Sequence, residues 1–312
     1  MISLSCTEIC QLLDGTLNGD DVIISSVSTD SRHISAGELF IALKGPNFDG
    51  SAFIADVKAK GAVAVVVEQP VAVDISQIIV RDTRLALGQL AAAVKARLAP
   101  TTLAVTGSAG KTTVKEMMAA ILSRRGKVLS TQGNFNNDIG VPLTMLRLTA
   151  EHNYAVLELG ANHQGEIAYT TTLAKPDVAI ITNVAPSHLE GFGDIYGVAR
   201  AKGEIFNAIT ADGLAVIPSD SEYREYWLQR LQDKQVVSFS ADNPNADYRA
   251  VNIRLDANGC AGFELVCPAG RQVIQLTIPG KHNVVNALAA AAGCIAVGAS
   301  LADVQLGLAQ MQ

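Results

Sequence analysis

A glycine-rich segment, Gly107-Ser108-Ala109-Gly110-Lys111-Thr112, carries the clearest chemistry in this sequence. It lies between an apolar run at residues 103–105, which favours a strand, and residues 111–123, which have helical spacing. Free backbone N–H groups at the start of a helix bind phosphate, and glycines let the backbone wrap closely around an anion. In such a loop Lys111 reaches the β- and γ-phosphates, and the Thr112 hydroxyl ligates Mg²⁺. The segment therefore predicts a nucleoside triphosphate site.

The segment departs from the general phosphate-loop pattern at one position. That pattern has another glycine five residues before Gly110, and Val105 stands there. A glycine turn capped by a helix, with a surface lysine beside it, is the alternative interpretation. By itself the segment indicates only that a nucleotide binds.

Two further residues with useful chemistry follow predicted strands. Glu158 ends an apolar run at residues 154–159, and from this position a carboxylate can hold Mg²⁺ on a nucleotide. His188 follows the next strand end, at residues 180–183. A loop histidine satisfied by hydrogen bonds is the alternative for His188, because a lone histidine is weak evidence of a metal ligand.

The elements that must position these residues fall into two patterns. Residues 1–82 alternate short strand-like and helix-like pieces, which predicts a small α/β domain. From residue 83 to residue 312 a helical segment precedes apolar runs separated by helix-like stretches, which is typical of a mostly parallel sheet covered on both faces. Alternating polar and apolar residues at 248–279 predict an antiparallel extension of that sheet.

Composition narrows the class of protein. A chain of 312 residues exceeds the usual single domain of roughly 100–200 residues, which favours two domains. A net charge of -6, with 49% hydrophobic and 17% charged residues, fits a globular enzyme and argues against a nucleic-acid partner. Five cysteines without a C-x-x-C pair, and the lack of a secretory signal or membrane-spanning run, predict a cytoplasmic protein. We expect a monomer.

Four segments lie in a recognisable order along the chain: residues 106–113, 133–142 (GNFNNDIGVP), 158–167 (ELGANHQGEI) and 188–193 (HLEGFG). Together they resemble the Mur ligases, which join amino acids or peptides to a UDP-linked muramic acid. The last three are similar to those of the family member that adds D-alanyl-D-alanine to UDP-MurNAc-tripeptide. The resemblance spans nearly the whole chain and implies an ATP-binding central domain of the phosphate-loop type behind a UDP-substrate domain.

The resemblance also implies roles for individual residues. The implied ATP-binding residues are Gly107, Ser108, Ala109, Gly110, Lys111, Thr112, Thr113, Asn183, Asn283 and Asn286. The implied catalytic residues are Lys111, Glu158, His188 and Lys202, and two Mg²⁺ ions would be held through Thr112, Glu158, His188 and Lys202, the lysine as a carbamate. The implied substrate residues are Ser28, Thr29, Ser31, Arg32, Lys44, Asp49 and Gly50 for the uridine diphosphate, with Asn137 and His163 for the muramyl peptide.

Plainer interpretations stay open for some of these residues. Lys202 could be a solvated helix lysine, Asn283 and Asn286 could only cap a helix, and the segments around residues 28–32 and 47–50 could be turns. The family commonly has histidine where Ser51 stands, so no role is implied at that position.

The implied reaction transfers the γ-phosphoryl group of ATP to the tripeptide carboxylate, after which the amine of D-Ala-D-Ala attacks the acyl phosphate. Family members carry a third domain after these two, and the sequence stops at Gln312. We therefore expect a truncated chain with little or no activity, because that domain closes over the site. The alternatives are a sibling ligase that adds a single amino acid to a UDP-muramyl peptide or a folate, and a nucleotide- or UDP-sugar-binding module without turnover.

Overall fold

The computed structural model describes residues 1–45, 48–186 and 189–311. The chain divides into two compact units, one formed by Met1–Ala99 with Asp138–Ala150 and the other by Pro100–Asn137 with Glu151–Gln312. We call them the N-terminal unit and the central unit. Among the described residues, no helix has both the length and the apolar character needed to cross a lipid bilayer.

The described part of the chain contains short strands in the N-terminal unit and longer strands in the central unit. The strands are β1 Leu4–Ser5, β2 Thr16–Asn18, β3 Ile23–Ile24, β4 Val27–Ser28, β5 Leu39–Ile41, β6 Lys44–Gly45, β7 Phe48–Asp49, β8 Ala64–Val67, β9 Ser76–Ile79, β10 Thr101–Thr106, β11 Lys127–Ser130, β12 His152–Glu158, β13 Val178–Ile181, β14 Leu214–Pro218, β15 Gln235–Ser240, β16 Tyr248–Leu255, β17 Cys260–Cys267 and β18 Gly270–Pro279. The helices are α1 Cys6–Leu13, α2 Ile54–Ala59, α3 Thr83–Leu98, α4 Lys111–Leu122, α5 Gly140–Met145, α6 Glu166–Ala174, α7 Leu189–Phe192, α8 Ile195–Gly203, α9 Arg224–Arg230, α10 His282–Ala296 and α11 Leu301–Leu308. Short 3₁₀ turns cover Gly50–Phe53 and Glu204–Phe206.

The N-terminal unit is built on a five-stranded sheet in the order β2-β9-β8-β5-β4. Its strands are parallel except for β2, which pairs antiparallel with β9. Strands β5 and β8 are apolar and buried along their whole length, as expected for strands covered on both faces. The small α/β domain that the sequence predicts is therefore present.

Helix α3 belongs to this N-terminal unit, although the sequence placed it at the start of the central domain. The helix begins after Asp82, whose side chain accepts hydrogen bonds from the backbone N–H groups of Arg84 and Leu85. It packs on α5, a helix that lies some 40 residues further along the chain inside residues 138–150. The division between the units therefore follows packing and is not a single point in the sequence.

The central unit contains a nine-stranded sheet in the order β11-β12-β10-β13-β14-β15-β16-β17-β18. The strands from β11 to β16 are parallel, and β17 and β18 continue the sheet as antiparallel neighbours. The expected fold class, a mostly parallel sheet with an antiparallel extension, is confirmed. Helices α4, α10 and α11 pack on one another, and their apolar residues belong to the buried core of this unit.

Strand β10 occupies the position that decides where a ligand can bind. It lies between β12 and β13, which come later in the chain on opposite sides of it, so the strand order reverses here. Ligands of open parallel sheets bind at the carboxyl ends of the strands at such a point. Residues 107–112 follow β10, Glu158 is the last residue of β12, and Asn183 follows β13. The fold therefore brings these residues to one edge of the sheet.

Candidate functional site

The phosphate loop, residues 107–112, joins the end of β10 to the start of α4 and requires glycine at two positions. Gly107 and Gly110 have backbone φ angles of 150° and 81°, which residues with a side chain rarely adopt. A Cβ at Gly107 would lie 1.9 Å from Oγ1 of Thr182, and one at Gly110 would lie 2.5 Å from Oδ1 of Asn286. The backbone at both glycines therefore has no room for a side chain, which agrees with a loop shaped to approach an anion closely.

Residues that follow β13 hold the phosphate loop in place. The backbone N–H of Ser108 donates to the carbonyl of Asn183 at 3.1 Å, and that of Ala109 donates to the Asn183 side-chain oxygen at 2.9 Å. The Thr182 hydroxyl donates to the carbonyl of Ala109 at 2.6 Å. Asn183, which the sequence assigned to the nucleotide, supports the loop from the side of the neighbouring strand in this structure.

Lys111 is the cation of the loop. Its Nζ donates to the carbonyl of Gly107 at 2.9 Å, so the side chain folds back over the loop. Burial lowers the pKa of Lys111, and the negative charge of Glu158 opposes that shift. The ammonium therefore lies where a bound phosphate would replace a backbone carbonyl as its partner.

Glu158 lies at the end of β12 with only 3% of its surface exposed. Its Oε2 accepts a hydrogen bond from the Thr112 hydroxyl at 2.8 Å, and its Oε1 accepts one from the Asn136 amide at 2.9 Å. The two residues that the sequence named as ligands of the nucleotide's Mg²⁺, Thr112 and Glu158, are thus in direct contact. The sequence did not predict a role for Asn136. Its segment, residues 133–142, was recognised, but only Asn137 was expected to bind the substrate.

Lys202, near the end of α8, is buried, with 2% exposure. Its Nζ lies 5.5 Å from the centre of the Phe192 ring. Burial, together with the charge of Lys111, lowers the pKa of Lys202 to about 8, while Glu204 and Glu166 oppose the shift. The alternative of a solvated helix lysine is wrong, because the side chain is enclosed.

A cavity of about 410 Å³ opens beside the phosphate loop. It is lined by Gly107, Ser108, Lys111, Asn134, Asn136, Asn137, Gly160, Ala161, Asn162, Glu166 and Lys202. The predicted residues Lys111, Asn137 and Lys202 therefore share one cavity. Two lysines and four asparagine amides give it donors suited to anionic oxygen.

His163 lies outside the lining of this cavity. Its ring is exposed, and its Nδ1 lies 3.2 Å from Oε1 of Glu166, which does line the cavity. His188 falls outside the residues that the structure describes, so its predicted place beside a metal is not tested.

The donor set near the loop fits Mg²⁺ bound to a nucleotide. In residues 1–45, 48–186 and 189–311, no three His, Cys, Asp or Glu side chains form a group that could hold a metal by themselves. Magnesium in nucleotide sites does not need such a cage, because phosphate oxygens and waters complete its shell around one or two protein oxygens. The Thr112 hydroxyl and the Glu158 carboxylate, 2.8 Å apart, are oxygen donors of this kind.

Asn283 and Asn286, at the start of α10, are almost fully buried. The Asn283 amide donates to the carbonyl of Pro279 at 2.8 Å, and the Asn286 amide donates to the Asn283 side-chain oxygen at 2.9 Å. These contacts, together with the approach of Asn286 to Gly110, support the loop and the helix start. A direct contact of either side chain with the nucleotide remains a prediction.

In the N-terminal unit, the predicted substrate residues form two local groups. Arg32 donates to both oxygens of Asp30, at 2.9 and 2.8 Å, and these bonds hold the pKa of Asp30 well below its usual range. The Arg32 side chain is 80% exposed, so it stays accessible to an anion. Ser28 accepts from the backbone N–H of Asp30, and the carbonyl of Ser31 accepts from the ammonium of Lys60.

The second group lies around strands β6 and β7. Lys44, Asp49 and Ser51 line a small cavity of about 90 Å³. Asp49 accepts hydrogen bonds from the backbone N–H and the hydroxyl of Ser51, the geometry of a side-chain-capped turn. Asp49 therefore caps the 3₁₀ turn Gly50–Phe53, and this role does not exclude ligand binding by the exposed Lys44.

A parallel α/β sheet with a glycine loop, a lysine and a paired carboxylate at its switch point defines a nucleotide-binding protein of the phosphate-loop type. Two family models match the chain: "Mur ligase middle domain" over residues 105–294 and "Mur ligase family, catalytic domain" over residues 23–124. The chain belongs to the Mur ligase family.

Individual relatives agree with this assignment. The chain is 47% identical over 312 residues to the UDP-N-acetylmuramoyl-tripeptide--D-alanyl-D-alanine ligase of Escherichia coli K12, covering 100% of this chain and 69% of that one. It is 46% identical to the enzyme of the same name from Haemophilus influenzae, covering 99% of this chain and 68% of that one.

Solved structures give the same result. MurF from Acinetobacter baumannii superposes with a TM-score of 0.95 at 42% identity, covering 100% of this chain and 69% of that one. MurF ligase from Thermotoga maritima, solved in complex with ADP, superposes with a TM-score of 0.80 at 27% identity, covering 92% of this chain and 66% of that one.

Proposed function

We propose that this chain is the part of an ATP-dependent ligase that forms the bond between UDP-MurNAc-tripeptide and D-alanyl-D-alanine in peptidoglycan precursor synthesis. The observation that carries the proposal is the cavity in which Lys111 and Lys202 meet the asparagine amides, next to the Thr112–Glu158 pair. The names of the Escherichia coli and Haemophilus influenzae relatives specify the two substrates.

The first step of the proposed reaction transfers a phosphoryl group. A carboxylate oxygen of the tripeptide attacks the γ-phosphorus of ATP, the bond to the β-γ bridging oxygen breaks, and ADP leaves. Lys111 gives up its hydrogen bond to the Gly107 carbonyl and neutralises charge on the β- and γ-phosphates. The backbone around Gly107 and Gly110 brings peptide N–H groups close to the same phosphates.

The second step forms the new peptide bond. The amine nitrogen of D-Ala-D-Ala attacks the acyl carbon, inorganic phosphate leaves, and the nitrogen loses a proton to solvent. Asn134, Asn136 and Asn162 offer amide donors around the cavity in which the acyl group lies. Chemistry of this kind depends on positioning and charge neutralisation more than on a covalent nucleophile.

Magnesium belongs to this proposal through the chain's own oxygen donors. Thr112 and Glu158 would hold an ion that supplies charge neutralisation on the nucleotide. Lys202 as a carbamate, together with His188, would hold a second ion. The support for Lys202 is its burial beside the cavity and a lowered pKa, because only a neutral amine reacts with carbon dioxide.

The proposed site for the uridine diphosphate lies in the N-terminal unit. Arg32 and Lys44 are exposed cations that meet the diphosphate, and the hydroxyls of Ser28, Thr29 and Ser31 are near Arg32 in sequence. Asn137 and His163 contact the muramyl peptide. We propose that the protein acts as a monomer and that it lies in the cytoplasm. The free thiols of its five cysteines agree with that location.

Two measurements on the 312-residue chain test the proposal. Calorimetry with the non-hydrolysable analogue AMP-PNP and with UDP-MurNAc-tripeptide should show binding of both. Any phosphate release by this chain, which we expect to be slow, should then require UDP-MurNAc-tripeptide, ATP and D-Ala-D-Ala together. Release that depends on a single amino acid instead would assign the chain to a sibling ligase, and binding without release would make it a binding module.

A further inference from the structure

Helix α4 carries a buried lysine one turn after the phosphate loop. Lys115 is 1% exposed, and its Nζ donates to the carbonyl of Thr131 at 2.7 Å and lies 2.6 Å from a carboxylate oxygen of Glu116. Removing an ammonium from water is costly, and an apolar residue of the same length would fill this space without that cost. The ammonium of Lys115 is therefore compensated by these two polar contacts.

Thr131, whose carbonyl accepts the hydrogen bond from Lys115, also forms hydrogen bonds with strand β12. It follows strand β11, is 1% exposed, and donates its backbone N–H to the carbonyl of Val156 at 3.1 Å. Its hydroxyl oxygen accepts the backbone N–H of Glu158 at 3.0 Å. Thr131 is thus the single residue that connects Lys115 with the backbone of Glu158, whose carboxylate contacts Thr112.

The hydrogen bonds form a closed circuit around Glu158. The circuit runs from Lys115 to Thr131, from Thr131 to Glu158, and from Glu158 back to α4 through Thr112. Thr112 and Lys115 are three residues apart, which places them on the same side of the helix. The lysine therefore links the first turn of α4 to the residue that holds the end of β12.

We propose that Lys115 is a positioning residue for the Mg²⁺–nucleotide site and acts through Thr131 on Glu158. The inference rests on the proposed function, because it takes Glu158 and Thr112 to be the oxygens that face the ion. When the ammonium is removed, the Thr131 carbonyl is left buried without this donor, and Glu158 loses its fixed orientation towards Thr112. Nucleotide phosphates still meet Lys111 and the loop, because the polar contacts described for the Lys115 ammonium are with Thr131 and Glu116.

The test measures how strongly Mg²⁺ improves nucleotide binding. The dissociation constant of AMP-PNP is determined by calorimetry without Mg²⁺ and with saturating Mg²⁺, and the ratio of the two defines the Mg²⁺ effect. Residues that orient metal ligands typically change metal affinity by about 10–100-fold. We expect Lys115→Met to reduce the Mg²⁺ effect by roughly tenfold while the Mg²⁺-free dissociation constant stays unchanged.

Companion variants separate positioning from general stability. Lys115→Arg keeps a buried donor and should restore most of the Mg²⁺ effect. Lys127→Met removes an exposed ammonium from β11 and should leave it unchanged. Thr131→Val keeps the shape of the threonine but removes the acceptor for the Glu158 N–H, so it should reduce the Mg²⁺ effect as Lys115→Met does.

The outcomes are distinguishable. A wild-type Mg²⁺ effect in Lys115→Met, whatever its melting temperature, would overturn the inference. If Lys115→Met does not fold, Thr131→Val decides, and an unchanged Mg²⁺ effect there would overturn it equally. Absence of AMP-PNP binding by the wild-type chain would remove the nucleotide site itself, a different failure from loss of the Lys115 effect alone.

Discussion

At the scale of single residues, the phosphate loop depends on one ammonium held over one carbonyl. Lys111 is partly buried, and its only partner among the hydrogen bonds described for the loop is the Gly107 carbonyl. A bound triphosphate offers it a negative charge instead of a neutral oxygen. A hydrogen bond to a charged group contributes about 1.5–3 kcal/mol, more than a neutral one.

We therefore expect Lys111→Met to weaken AMP-PNP binding by roughly 10–100-fold, which corresponds to that energy. The measurement is calorimetry at fixed ionic strength. Lys127→Met, which removes an exposed lysine of the same unit, is the matched control and should bind like the wild type. Equal affinities of Lys111→Met and wild type would show that the lysine does not meet the phosphates.

Lys202 predicts a pH dependence of stability. Its folded pKa of about 8 lies below the ordinary value of 10.5, so between these values the unfolded chain binds more protons than the folded one. Stability must then rise with pH across that window, because the cost of burying the charged amine disappears as the folded group loses its proton. Below pH 8 the cost is present in full.

The measurement compares wild type with Lys202→Met in carbon-dioxide-free buffer, where no carbamate can form. The wild type should gain stability relative to the variant between pH 8 and 10.5, by up to roughly 3 kcal/mol in chemical unfolding. A difference between the two proteins that stays constant over this window would contradict the lowered pKa.

At the scale of elements, the turn from β10 to α4 is specified by glycine backbone geometry. Gly107 combines a φ of 150° with a Cβ position 1.9 Å from Thr182, so any side chain must displace the segment after β13 that holds the loop. A substitution here changes the loop directly, while the buried strand before it keeps its core contacts.

We expect Gly107→Ala to weaken AMP-PNP binding by at least about 100-fold, because the loop amides can no longer converge on the phosphates. The circular dichroism spectrum should stay close to that of the wild type. Gly298→Ala is the control: its φ is 94°, but the nearest atom, in the Arg125 side chain, lies 3.6 Å from the new Cβ. If Gly107→Ala binds AMP-PNP as tightly as Gly298→Ala does, the requirement for glycine in the phosphate loop is contradicted.

The elements also show what the sequence could predict. Strands β10, β12, β13, β14 and β15 correspond to the apolar runs predicted from the sequence, because parallel strands buried on both faces appear as continuous hydrophobic segments. The phosphate loop and Glu158 were found because their chemistry is local to a strand end. Each of them lies at the carboxyl end of an apolar run that is recognisable in the sequence.

Residues whose role depends on distant partners were not predicted. Lys115 is an ordinary helix lysine in the sequence, but it is buried, and its partner Thr131 lies 16 residues away in the chain. Asn136 has a role for the same reason, since its partner Glu158 lies 22 residues away. Nothing in the local pattern distinguishes these residues from exposed polar ones.

At the scale of the whole molecule, the two units are interleaved in sequence. Residues 138–150 are flanked on both sides by segments of the central unit, yet they pack in the N-terminal unit through α5 on α3. Arg84 of α3 forms an ion pair with Asp138 at the entry to this segment. Proteins open in cooperative units defined by packing, so residues 138–150 should lose protection together with the N-terminal unit.

Met145→Ala tests this relation, because Met145 is fully buried at the end of α5. The substitution should destabilise its surroundings by about 2–5 kcal/mol through lost contacts and a cavity. Amide hydrogen exchange should then accelerate in α3, β5 and β8 and stay unchanged in β10, β12 and β13. Met117→Ala, in the core of the central unit, should give the opposite pattern. Faster exchange across both units in either variant would mean that the chain unfolds as one cooperative body, because the three chain connections between the units would then transmit the loss of packing.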